Sequence, residues 1–199
     1  MWRTPRARHL VIAVAGLNVF VWPVIAVGLV LRTTAQGWGA AALGVLMGSI
    51  GAAALVGTLV MLRWRPQRVV LVALLFLLAQ AVSLVVIGFA PFTGVLAATL
   101  TAGLTAGLAS PLLAGALQAT IDDAYVARAG SVIDLSDSAL MPLSLAGFGI
   151  LVEATSVTVA CAVCGAAFLL QLCVALSRRQ VRTMRLDGPD RNEETTTAG

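Results

Sequence analysis

Charge is what this sequence lacks most. Only 11% of its 199 residues are charged and 59% are hydrophobic, against about 25% charged in a soluble domain. A water-soluble fold of this size has no interior large enough to hide so much apolar surface, so its solvent is largely lipid. Lysine is absent altogether. All 13 basic residues are arginine, which reads as a bias toward GC-rich codons. The net charge of +4 does not point to nucleic acid, because the arginines occur only in short gaps between apolar runs. Histidine occurs once, at His9, and a lone interfacial histidine is assigned no role. There is no H-E-x-x-H, and a serine in the bilayer would lack a His or Lys base, so an enzyme is not expected. No cofactor and no metal are expected. Cysteine is scarce too. Cys161, Cys164 and Cys173 fall in one apolar run without metal-ligand partners, and the C-x-x-C reads as small apolar residues. The basic start leads into an apolar run too long for a signal peptide, with no persuasive cleavage site.

Long apolar runs are what is there. A bilayer core of about 30 Å needs about 20 helical residues, and six runs reach that length: 10–31, 39–62, 69–90, 94–117, 132–152 and 156–176. None alternates in segments of about ten residues as membrane strands do. The reading is an all-α membrane protein with six transmembrane helices. A basic N-terminus (1–9) and a polar, partly disordered tail (179–199) flank a transmembrane domain (10–178). Twelve arginines fall in the alternate segments formed by the N-terminus, the second and fourth loops and the tail; Arg32 alone falls on the other side. That is the positive-inside pattern, and it places both termini in the cytoplasm. Trp38 and Trp64 lie at span edges, where indole suits the interface. Trp22 lies mid-helix, directly before Pro23.

Small residues suggest which helices meet. The second run carries Ala40, Gly44, Gly48 and Ala52 at spacing four, and the fourth carries Gly103, Gly107, Pro111 and Gly115. Such ridges let another helix approach closely. The third run is dense in Leu, Val and Phe. The expectation is that helices 2 and 4 are packed inside and helix 3 faces lipid. Pro23, Pro111 and Pro142 lie inside helices and kink them, which lipid tolerates where a neighbour satisfies the freed carbonyl.

The stretch "LVLRTTAQGWGAAALGVLMGSIGAAALVGTLV" (29–60) resembles the seventh and eighth helices of major facilitator superfamily exporters, nearest to the drug-efflux and secretion-effector branch. "DDAYVARAGSVIDLSDSALMPLS" (122–144) resembles that branch's loop and eleventh helix. Asp123, Arg128 and Pro142 match its P-D-x-x-R-G-R-V pattern and later proline. Asp122, Val126 and Ala127 replace its proline, first arginine and glycine. Of the motif G-x-L-x-D-R-x-G-R-R, only Gly57, Leu59 and the basic cluster are present, with Met61 at the Asp position. The resemblance implies a C-terminal six-helix half built from two inverted three-helix repeats, with the first, second, fourth and fifth helices around a cavity and the third and sixth facing lipid. The implied function is a component of a secondary active exporter of small amphipathic organic molecules, paired with a second half or with its own copy. The alternative is a non-transporting membrane subunit or a truncated remnant of a longer transporter.

Few residues suit a transport role. Asn18 and Trp22, four apart, are cavity candidates as an amide beside a stacking ring, and Ser110 and Ser138 join them. Arg63, Arg65, Arg68, Arg128, Asp134 and Asp137 are candidates for a cytoplasmic gate of ion pairs. Gln80 and Gln171 suggest bonds between helices. No carboxylate occupies a midplane position, so the central acid of any proton coupling is expected outside this chain.

Overall fold

The computed structural model describes residues 17–63, 69–118 and 140–177, and all its elements there are helices. We label them α1 (17–35), α2 (Gly39–Arg63), α3 (Val69–Phe89), α4 (Phe92–Gln118), α5 (Leu140–Ala154) and α6 (Val157–Ser177). Four of them, α2, α3, α4 and α6, are long and apolar enough to cross a membrane; α1 and α5 are shorter apolar helices over their described lengths. These are the helices of a membrane-embedded protein. Arg65, Arg68, Arg128, Asp134, Asp137 and Ser138 lie outside the described residues.

The long helices begin and end within about two residues of the apolar runs. α1 runs further than its run predicted, to Ala35, because Arg32 belongs to the helix and turns its head back onto the protein. Thr33 and Thr34 extend the last turn by donating to the Val30 carbonyl at 2.8 and 2.9 Å. The helix stops in a Schellman turn. Gly37 takes φ +67, its N–H donates to Thr34 O at 3.1 Å, and Trp38 N–H reaches back to Thr33 O at 3.1 Å. That left-handed position favours glycine. Further down, α1 is wound as π-helix over Leu17–Val21 and Val24–Gly28, with Leu29 N–H bonded to Val24 O. Pro23 between the two stretches has no N–H for the carbonyl four residues back, and wider winding is a common answer to that loss.

Packing follows a row. α2 lies on α4, α4 on α3, α3 on α6, and α6 on α1. Phe20 of α1 meets Phe168 of α6 with ring centroids 6.3 Å apart, and Phe148 carries α5 onto Gly28 of α1. The core gathers along α3, where Ala73, Leu74, Leu77, Ala81, Leu84 and Ile87 are buried. This corrects the expectation for α3. It is flanked on two sides, and only its remaining face, with Leu75, Val82 and Phe89, is exposed. Its small residues explain the difference: Ala81 and Gly88 let α6 approach, since a Cβ on Gly165 would stand 3.1 Å from Ala81 O and one on Gly88 2.9 Å from Thr158 O. A dense apolar helix packs as well as a smooth one when small residues recur on the contact side.

Candidate functional site

Among the described residues, the α2–α4 contact is the tightest. A Cβ added at Gly103 would overlap the Ile50 carbonyl, and one at Gly107 the Ala54 carbonyl. From the other side, a Cβ at Gly57 would stand 2.5 Å from Leu104 O. Two hydroxyl bonds cross the same seam. Ser49 Oγ and Thr99 Oγ1 lie 2.8 Å apart, and the single Thr58 hydroxyl proton is shared between Ala54 O of its own helix at 3.0 Å and Gly107 O of α4 at 3.3 Å. The second has a specific cause. Pro111 has no N–H to offer the carbonyl of Gly107 four residues earlier, so that carbonyl is free for a donor from α2. The Thr58 hydroxyl therefore offers the Gly107 carbonyl part of what Pro111 removes, and the side chain of Pro111 itself is exposed.

The other ridge residues lie elsewhere. Gly44 and Gly48 meet nothing within 4 Å, and neither does Gly51. Gly115 is within α4, but its surroundings lie outside the described residues. α2 thus carries small residues on two opposite sides: Gly48 and Gly57 are nine positions apart, or half a turn at about 100° per residue. One side is filled by α4 and the other is open. Gly147 and Gly149 of α5 also face open space.

Among the cavity candidates, Trp22 is 44% exposed on α1 and Ser110 is exposed on α4. Asn18 lies in the π-wound turn of α1, and its side chain is outside the described set. Arg63 is exposed at the last turn of α2. It is the described member of the gate set.

Three short turns gather at the opposite end: α1 to α2, α3 to α4, and α5 to α6. There Trp38 meets Phe92 edge-on with centroids 5.3 Å apart. Ser156 caps α6 by accepting from Val159 N–H at 3.2 Å, as an N-cap serine does. Arg32 bridges the turns. Its Nη1 donates to Thr158 Oγ1 at 3.1 Å and its Nη2 to the Ala90 carbonyl at 3.2 Å. Sequence reasoning counted Arg32 only as the odd arginine and missed this contact. Family models, curated proteins and solved structures give no match to the chain.

Inside the bundle, Gln80 is 2% exposed and its Oε1 has no hydrogen-bond partner, so no neighbouring helix donates to that oxygen. Cys161 and Cys164 are buried free thiols and Cys173 is exposed. Among the described residues, no three His, Cys, Asp or Glu side chains gather to hold a metal. The chemistry on view is that of helix packing and of a charged clasp at one end, with open small-residue faces on α2 and α5.

Proposed function

We propose that this chain is half of a secondary active exporter of small amphipathic molecules, seated in the cell membrane with both termini in the cytoplasm. It would work beside a second six-helix half or a second copy of itself. The observation that carries this reading is the open side of α2. In this bundle, Gly57, Gly88, Gly103, Gly107 and Gly165 are pressed against neighbouring helices, whereas Gly44, Gly48 and Gly51 meet nothing. Small residues gain by close helix approach in lipid and gain nothing from lipid tails. A helix that is smooth on two sides suits a place between two neighbours, and the chain supplies one of them. The major facilitator resemblance supports the same arrangement, because two bundles rocking about a central site need an interface of this kind. The distribution of arginines supports the orientation.

The test is efflux of amphipathic dyes from cells expressing the chain alone, and with any six-helix protein encoded directly upstream. The same cells carry Gly48→Leu as the interface variant. Export that needs both bundles, or two copies, and is lost in Gly48→Leu while the variant still reaches the membrane is the expected outcome. Absence of export in every combination would favour the non-transporting subunit or remnant.

A further inference from the structure

At the arginine-poor end a full positive charge is folded inward with no carboxylate upon it among the described residues. Arg32 is held by Thr158 Oγ1 and Ala90 O, both neutral, while its Nε is buried without an acceptor. Glu153, the sole acidic residue among those described, is exposed and forms no ion pair with it. The two bonds tie three elements together: the last turn of α1, the α3–α4 turn and the first turn of α6.

One layer further in, the same three elements meet at a jammed junction. Gly28 lies four residues before Arg32, Gly88 two before Ala90, and Cys161 three after Thr158. A Cβ on Gly28 would stand 3.2 Å from Cys161 Sγ and 3.2 Å from the Phe148 ring; one on Gly88 would stand 3.1 Å from Cys161 Cβ. Cys161 therefore plugs the seam between α1, α3 and α6, with the Arg32 bonds on its outer side. A guanidinium held by two neutral acceptors, with a third donor unmet, is held less firmly than one in an ion pair. Water at the membrane surface offers it the acceptors that the protein does not.

We propose that Arg32 is a latch: its two bonds hold α1 to α6 at this end, and their release opens the seam to water as far as Cys161. The latch acts within the chain and is independent of any partner bundle.

The test is the rate at which N-ethylmaleimide alkylates Cys161 in membrane vesicles, in the full chain with Cys164→Ala and Cys173→Ala. With the latch intact the thiol reacts slowly. Arg32→Gln removes both bonds and is expected to raise the rate about fifteenfold, the product of two roughly fourfold losses. Thr158→Val, close in shape, removes one acceptor and is expected to raise it about fourfold. A chain with Cys164 as its single thiol reports from one turn deeper in α6 and should not respond. Rates within about twofold of the parent in both variants overturn the latch. An equal rise at Cys164 also overturns it, since Arg32 would then support packing in general. If Arg32→Gln does not reach the membrane, Thr158→Val decides by the same thresholds.

Discussion

Replacing Gly107 with valine tests how α2 and α4 are held together, and the cost can be worked out from the contact. The new Cβ would overlap the Ala54 carbonyl. That atom is helix backbone, so it cannot step aside alone, and α2 must move as a unit. Movement stretches the Thr58–Gly107 bond of 3.3 Å and the Ser49–Thr99 contact of 2.8 Å. Bonds between membrane helices contribute about 0.6 kcal/mol each on average. Overpacking a close contact costs about 1–3 kcal/mol. Together these give roughly 2–4 kcal/mol. The control is Gly48→Val on the same two helices' seam-free side, where the added atoms meet nothing within 4 Å and the expected change is within about 0.5 kcal/mol. The assay is thermal unfolding of the monomeric fraction of the chain in mild detergent, followed by tryptophan fluorescence. For a chain of this size about 1 kcal/mol moves the midpoint by about 2–4 °C, so Gly107→Val should lower it by roughly 5–15 °C and Gly48→Val should barely move it. Equal shifts in the two variants would refute the assignment of these glycines to different environments.

Three further outcomes follow from single contacts. Thr58→Val should lower stability by about 0.6–1.7 kcal/mol in the parent chain, and by less in a Pro111→Ala background, where the Gly107 carbonyl regains a donor within its own helix; a double-mutant cycle with no coupling would contradict that exchange. Gln80→Met keeps the shape and removes the buried, unpartnered oxygen, so it should stabilise the chain by about 1 kcal/mol, and a lowered midpoint would mean that the amide has a partner in the membrane. Gly37→Ala places a Cβ at φ +67 and should cost about 1 kcal/mol, read as a lower midpoint, whereas Gly44→Ala, mid-helix and unobstructed, should raise it slightly.

The four long helices were legible because the apolar runs break at charge, glycine or proline, and those residues also end helices in lipid. The Gly103–Gly107 contact was legible for a similar reason: in α4 these glycines have no rival stripe of comparable smoothness. The contact face of α2 was not legible. Its residues are small on both sides, from Gly44 and Gly48 on one to Ala53, Ala54 and Gly57 on the other, and periodicity alone cannot say which side α4 takes. The spacing-four ridge looked more regular, yet the irregular one made the contact, because Thr58 and Ser49 lie beside it and can bond to α4. α3 was misread for the converse reason. Its many large side chains drew attention from Ala81 and Gly88, the positions that admit α6. Of the candidate site, Trp22, Ser110 and Arg63 are exposed, and most of the gate set lies outside the described residues.

Arg32 shows where counting by side loses information. Positive-inside statistics weigh arginines by number, so one arginine against twelve counts as a small exception. Physically it is the arginine most in need of an explanation. Of the arginines in the basic segments, Arg63 is described, and it is exposed at the end of α2. Arg32 instead gives up water on part of its guanidinium, leaves Nε without an acceptor, and is placed where the orientation signal opposes it. A residue with those three disadvantages must be offset by something local. The offset on view is the pair of bonds to Ala90 O and Thr158 Oγ1, which also serve needs of their neighbours. Ala90 O lies just past the C-terminal end of α3, where carbonyls lack helix partners and a cation is favoured. Thr158 lies in the first turn of α6, which anchors the clasp to a second helix. An isolated charge at an otherwise charge-poor end of a membrane bundle is therefore a lead to a specific local contact.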